Sequence, residues 1–139
     1  MSEQQNTGLI QKVYDAFSRG DLQTILNNLT EDVDWGFEAP HTIPYAGQRK
    51  GTAQVTKFFE ALATTQSGQK LTPQTFVAQG DHVATLCRYS GTVTATEKKF
   101  DCPVAHFFTI RGGKVASFVN VTDSAAMVEA YVSSSAAAR

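Results

Sequence analysis

Cysteine is nearly missing from this chain: Cys87 and Cys102 are the only two among 139 residues. Two isolated thiols in a chain long enough to build its own core argue against a disulfide framework or a structural metal site, and predict buried, reduced side chains. Charge of one sign is missing too. Lys and Arg nearly balance Asp and Glu, leaving a formal charge of −1 and no basic block, which excludes the footprint of a nucleic-acid binder or a membrane-surface helix. Apolar runs extend only a few residues, and the start Met1-Ser2-Glu3-Gln4-Gln5 lacks the basic-then-apolar layout of a secretory signal. A cytoplasmic protein without a membrane partner is the expectation. No glycine-rich phosphate loop, His-x-x-x-His pair or nucleophile elbow is present, so no cofactor and no metal is expected. The partner that fits is a small molecule, neutral or weakly charged.

The length is that of one domain, residues 1–139, able to bury roughly two-thirds of its unfolded surface. Leu9, Ile10, Val13 and Phe17 share one face at helical spacing, and the pattern stops at Gly20. Asp21 then caps a second helix with the stripe Leu22, Ile25, Leu26 and Leu29. From Asp32 the period changes to two, with Val33, Trp35 and Phe37 on the buried face of a strand that ends before Pro40. The segment from Pro40 to Gly51 reads as a surface loop. Thr52 is the expected cap of a third helix, whose stripe is Val55, Phe58, Phe59 and Leu62.

After a polar joint from Thr64 to Lys70, turn signals at Gly80-Asp81, Thr96 to Lys99 and Gly112-Gly113 separate four β-rich runs, roughly 71–79, 82–95, 99–111 and 114–122. Asp123-Ser124 opens a short helix through Tyr131, and the tail 133–139 is small and polar enough to fray. The predicted fold is therefore α+β: a cone-shaped, curved antiparallel sheet, three N-terminal helices closing over a pocket, and a short C-terminal helix. The other sheet face, with its share of Val and Phe, predicts a homodimer.

The order of these elements, from Leu9 to Tyr131, resembles the nuclear-transport-factor-2-like superfamily. Ala16-Phe17 with Gly20-Asp21-Leu22, Asp32-Val33-Asp34-Trp35, Pro44-Tyr45-Ala46-Gly47, Gly51, Phe58-Phe59, and Gly113-Lys114-Val115 ending in Asp123 are similar to its SnoaL-like, ketosteroid-isomerase-related branch. That resemblance implies a pocket protein, but the superfamily holds isomerases, cyclases, epoxide hydrolases, dehydratases and noncatalytic binders, so it does not select a function. The steroid isomerases use a tyrosine on helix one and two aspartates; those places fall at Val13, Phe37 and Ala105, with Tyr14 rotated out by about 100°. The epoxide hydrolases use an arginine between two aspartates; Arg88 matches, but Ser90 and Asn120 stand where the carboxylates would be.

What remains is a binding set. Arg88 and Ser90 come from one strand and Asn120 and Thr122 from another, with Trp35, Phe37, Leu86, Phe107 and Phe118 as apolar walls and Tyr45 at the mouth. Arg88 has two readings: a pocket cation awaiting an anionic ligand, or a surface arginine paired with a carboxylate such as Asp123. The catalytic candidates are His41, in the proline-rich loop, and Asp123, which also reads as a helix cap. His106 reads as a core or interface histidine bonded to backbone, His82 as exposed, and Glu38 as solvated. Three functions stay open: proton-transfer enzyme, noncatalytic small-ligand binder, or dimerisation module.

Overall fold

The computed structural model describes residues 2–133. Helix α1, Glu3–Ser18, starts on a capping box in which the Ser2 hydroxyl accepts from the Gln5 amide at 3.0 Å and the Gln5 side chain accepts from the Ser2 amide at 2.9 Å. Gly20, at φ 68°, makes the left-handed turn into α2, Leu22–Asn27. Asp21 caps that helix, its carboxylate accepting from the Thr24 amide at 3.1 Å. Leu29, expected on the helix stripe, instead begins strand β1, Leu29–Phe37.

The segment 40–51 is more than a loop. Gly47–Lys50 forms β2, antiparallel to β1, with the Lys50 ammonium 3.2 Å from the Asp34 carboxylate. Helix α3, Thr52–Thr65, follows. Its cap is Gly51, with no side-chain bond, rather than Thr52; the Gln54 side chain takes up the Lys50 amide at 2.7 Å. The polar joint expected at Thr64 to Lys70 is absent, because α3 runs directly into β3, Gln66–Gln79. The buried Gln66 amide is what makes that abrupt change workable, since it is fully hydrogen-bonded.

Strands β4 (His82–Val93), β5 (Lys98–Arg111) and β6 (Lys114–Thr122) continue the meander, and α4, Ser124–Tyr131, closes the described chain on an Asp123 cap. One six-stranded sheet results, in the order β2-β1-β6-β5-β4-β3. It is mixed rather than antiparallel throughout: β1 lies parallel to β6, with Trp35 opposite Phe118 and Phe37 opposite Asn120. Register shifts within the β1–β6, β3–β4 and β5–β6 pairs bend the sheet into a curved, unclosed form. Helices α1 and α3 pack across its concave side. The two cysteines are free and buried. Among the described residues no helix is long and apolar enough to cross a membrane. The tail expected to fray lies, beyond Ser133, outside the described residues.

Candidate functional site

Curvature leaves room between the sheet and the helices. A cavity of about 70 Å³ lies there, several times the ~10–15 Å³ that one water needs. Its wall is largely aromatic. Trp35 stacks on Phe118 with centroids 4.0 Å apart, and Phe58 and Phe59 of α3 meet the indole edge-on and tilted at 5.7 and 5.6 Å. Period two on β1, β5 and β6 aims Trp35, His106, Phe108, Phe118 and Asn120 inward together.

Into this apolar space projects one polar pair. The Tyr14 hydroxyl sits 2.8 Å from His106 Nδ1, hydrogen-bonds to the Thr85 hydroxyl, and accepts a weak bond from the Cys87 thiol at 3.6 Å. All four residues are buried. Burial pushes the Tyr14 phenol well above its ordinary range and pulls the His106 imidazole down to about 3, so both are neutral near pH 7. The phenol has one proton to give. If Tyr14 donates it to His106, Nε2 carries the imidazole proton; if Tyr14 donates it to Thr85, Nδ1 carries that proton and Nε2 is a bare acceptor. Among the described residues Nε2 itself makes no hydrogen bond.

Asn120 lies directly opposite His106 on the neighbouring strand. Its carbonyl accepts from the Thr122 hydroxyl at 2.6 Å, which leaves the amide hydrogens for a guest. The Trp35 indole N–H is buried without a partner among the described residues. A second polar cluster centres on Gln66, whose amide donates to the Tyr45 and Tyr131 hydroxyls at 3.0 and 2.9 Å and whose carbonyl accepts from Tyr89. Burial raises the Tyr45 and Tyr89 phenols above their ordinary range. Among the described residues no Asp or Glu lines the cavity, and no group of three His, Cys, Asp or Glu is placed to hold a metal ion.

Of the residues singled out from sequence, Trp35, Tyr45, Phe118, Asn120 and Thr122 line the cavity. Phe37 does not; it is core, stacked on Tyr45 at 5.2 Å. Leu86, Arg88, Ser90 and Phe107 sit on the opposite face, because β4 and β5 present Thr85, Cys87, Tyr89, His106 and Phe108 inward. Arg88 is a surface residue bound to Asp101 at 2.8 Å, not to Asp123. His41 is exposed in the loop between β1 and β2, and Asp123 is exposed and spent on capping, accepting from the Ala126 amide at 3.2 Å; neither reaches the cavity. His106 is core, but its partner is Tyr14 rather than backbone. Glu38 and His82 are exposed, the latter against Phe107 at 5.1 Å.

Sequence reasoning missed Tyr14, Thr85 and His106. A signal for Tyr14 existed, since it follows Ile10 by four residues and precedes Phe17 by three, so it belongs to the same helix face. The arc of α1 turned to the cavity is wide enough to hold both Val13 and Tyr14.

Among solved structures, a nuclear-transport-factor-2-like protein from Burkholderia xenovorans is 27% identical, with a TM-score of 0.82 over 95% of this chain and 99% of its own. One from Burkholderia thailandensis is 26% identical, with a TM-score of 0.85 over 91% and 97%. TerC, crystallised with polyporic acid, is 25% identical, with a TM-score of 0.84 over 91% and 98%. No curated protein matches the chain by sequence. The family model for the SnoaL-like domain matches residues 10–118. With that match spanning most of the chain, on a cone that encloses an aromatic cavity, this protein belongs to the SnoaL-like family within the nuclear-transport-factor-2-like fold.

Proposed function

We propose that this protein binds a small, ring-bearing, mostly apolar molecule in the inner cavity and moves a proton on it without a cofactor. One observation carries the reading: a neutral Tyr14–His106 pair lines a largely apolar cavity, and among the described residues the second ring nitrogen of His106 is left without a hydrogen bond. With Nε2 bare, His106 takes a proton from the carbon beside a ligand carbonyl while the Asn120 amide holds the oxyanion that forms. Burial disfavours an isolated imidazolium, but an oxyanion formed in the same step offsets that cost. A proton then returns either to a different atom of the ligand, an isomerisation, or to the same carbon, an exchange, and neither needs an oxidant. The crystallisation of TerC with polyporic acid supports a small-molecule occupant.

That no carboxylate lines the cavity among the described residues favours a second reading, a noncatalytic binder in which the same groups only hold a polar end. Two measurements separate them. Trp35 is the sole tryptophan and lines the cavity, so its fluorescence reports occupancy. Solvent-deuterium incorporation into a bound cyclic ketone, followed by NMR, reports proton transfer. The enzyme reading expects incorporation that falls at least tenfold in Tyr14→Phe and His106→Phe with the fluorescence response retained. Binding without incorporation establishes the binder, and no fluorescence response to any ring compound removes both.

The assembly we propose is a homodimer joined through the convex face. Phe107 lies between Ala84 and Val119 across three strands, and Ala105 between Leu86 and Val121; Phe107 is 44% exposed and Val121 63%. A continuous apolar surface of this kind is what a second copy would cover. Sedimentation of Phe107→Glu with Val121→Glu is expected to give a monomer where the parent gives a dimer; a monomeric parent overturns the proposal. Two buried, unpaired thiols suit the reducing cytoplasm as its place of work.

A further inference from the structure

A second hollow lies on the outside of the helical layer. It is a groove of about 550 Å³ between the α1–α2 joint and the C-terminal half of α3, far larger than the inner cavity. Phe17, Ile25, Phe59 and Leu62 line both spaces. The partition is therefore made of their side chains, with the Phe17 and Phe59 rings 6.3 Å apart and tilted at 47°. Both rings are only partly buried, and a partition of side chains yields by rotamer change, without any movement of the sheet.

The groove has a character of its own. Beyond the shared residues, its wall adds Leu22 and Ala63, and its rim carries Ser18, Arg19, Glu60 and Gln69. Arg19 is already held by Asp15 at 3.0 Å and Asp21 at 3.5 Å. Among the described residues Glu60 makes no ion pair. A cation bound to two carboxylates beside a free carboxylate offers nothing to an anion, whereas the apolar wall offers much to a ring.

We infer that the cavity and the groove are two chambers of one site, and that its ligand is an elongated molecule of at least two rings. One ring carries the oxygen held by the Asn120 amide, opposite His106, in the inner chamber. The other, uncharged, crosses between Phe17 and Phe59 into the groove. This rests on the proposed inner site and adds to it the size, shape and charge of the occupant.

Phenol and 4-phenylphenol are the probes, with affinities measured by calorimetry on the full chain and on Ala63→Phe. That variant fills the groove from an exposed helix position, away from the inner cavity. 4-Phenylphenol is expected to bind the parent at least tenfold more tightly than phenol. Ala63→Phe is expected to abolish that advantage and leave phenol unchanged. NMR cross-relaxation in the parent is expected to place the outer ring against Leu22 and Phe17, a readout independent of how the variant folds. Equal affinities, an advantage that survives Ala63→Phe with no contact to Leu22, or contacts confined to inner-cavity residues overturn the two-chamber site while leaving the inner one standing. If neither compound binds, the inner site falls and takes this inference with it.

Discussion

Along β4, Val83, Thr85, Cys87 and Tyr89 turn inward and are buried, while Leu86 between them is 47% exposed. The same division runs along β5, where His106 and Phe108 face the cavity and Phe107 faces out. Apolarity alone does not separate the two. The inner set contains a threonine, a tyrosine and a histidine, and the outer face, beside Arg88 and Ser90, carries Leu86, Phe107 and, on β6, Val119 and Val121. What separates them is the partner: helices α1 and α3 cover the concave face, and among the described residues no element covers the convex one. Polar groups are tolerated inside because each is bonded to another, as Thr85 and His106 are to Tyr14. Apolar groups outside mark a surface that remains to be covered.

The sharpest way to break this contrast is to truncate matched phenylalanines on the two faces. Phe118 contacts the rings of Trp35, His106 and Phe108 at 4.0, 4.8 and 5.2 Å, so Phe118→Ala leaves a hole in packed structure. Urea denaturation is expected to show a loss of about 3–5 kcal/mol. Phe107→Ala, measured in a Val121→Glu background that keeps copies apart, is expected to change stability by less than about 0.5 kcal/mol. Equal losses would mean that the convex face is as much core as the concave one.

That ambiguity also explains what the sequence could and could not convey. Strong periodicity located all four helices, and short turns located the last four strands, because those signals are local. The four-residue β2 was hidden in a stretch of prolines and glycines, and the parallel pairing of β1 with β6 spans most of the chain, so no local signal announces it. For the site, period two correctly grouped Leu86 with Arg88 and Ser90, but grouping does not say which side is inside. On a strand with apolar residues on both sides, parity is decided by the neighbours: the opposite choice would carry Arg88 into the cavity, where no carboxylate among the described residues would meet it. On β1 the inward Trp35 was legible because Asp34 marks the outer, charged side, and on β6 period two placed Asn120 on the face of Phe118.

A smaller effect tests whether the inner face holds its polar groups neutral. Burial draws the His106 pKa from 6.5 down to about 3. Between those values the unfolded chain binds a proton that the folded chain refuses, so this contribution to stability is complete above pH 6.5 and is lost as pH falls toward 3. The expected slope is about 1.4 kcal/mol per pH unit. His106→Phe removes it, and the adjoining cavity has room for the larger ring. The difference in slope between parent and variant is best read from pH 6 to pH 5. Hydrogen bonds from Thr24 and Arg111 hold the Asp21 and Asp32 carboxyls below the ordinary range, so their protonation adds to the loss only at lower pH. Identical slopes would show that His106 is already solvated in the folded protein.

The smallest expected effect belongs to the residue that looked most telling in the sequence. Arg88 was a candidate cation for an anionic ligand; on the convex face it is half exposed and bound to Asp101, itself 61% exposed. An ion pair in that setting contributes about 0–1 kcal/mol, because water screens it and two long side chains lose freedom in forming it. Arg88→Ala is therefore expected to shift the urea midpoint slightly or not at all, and to leave the Trp35 fluorescence response to ring compounds unchanged. Raising the salt concentration should erase whatever difference remains. A large loss of ligand response in this variant, with the fold intact, would return Arg88 to the site and reverse the assignment of the two faces of β4.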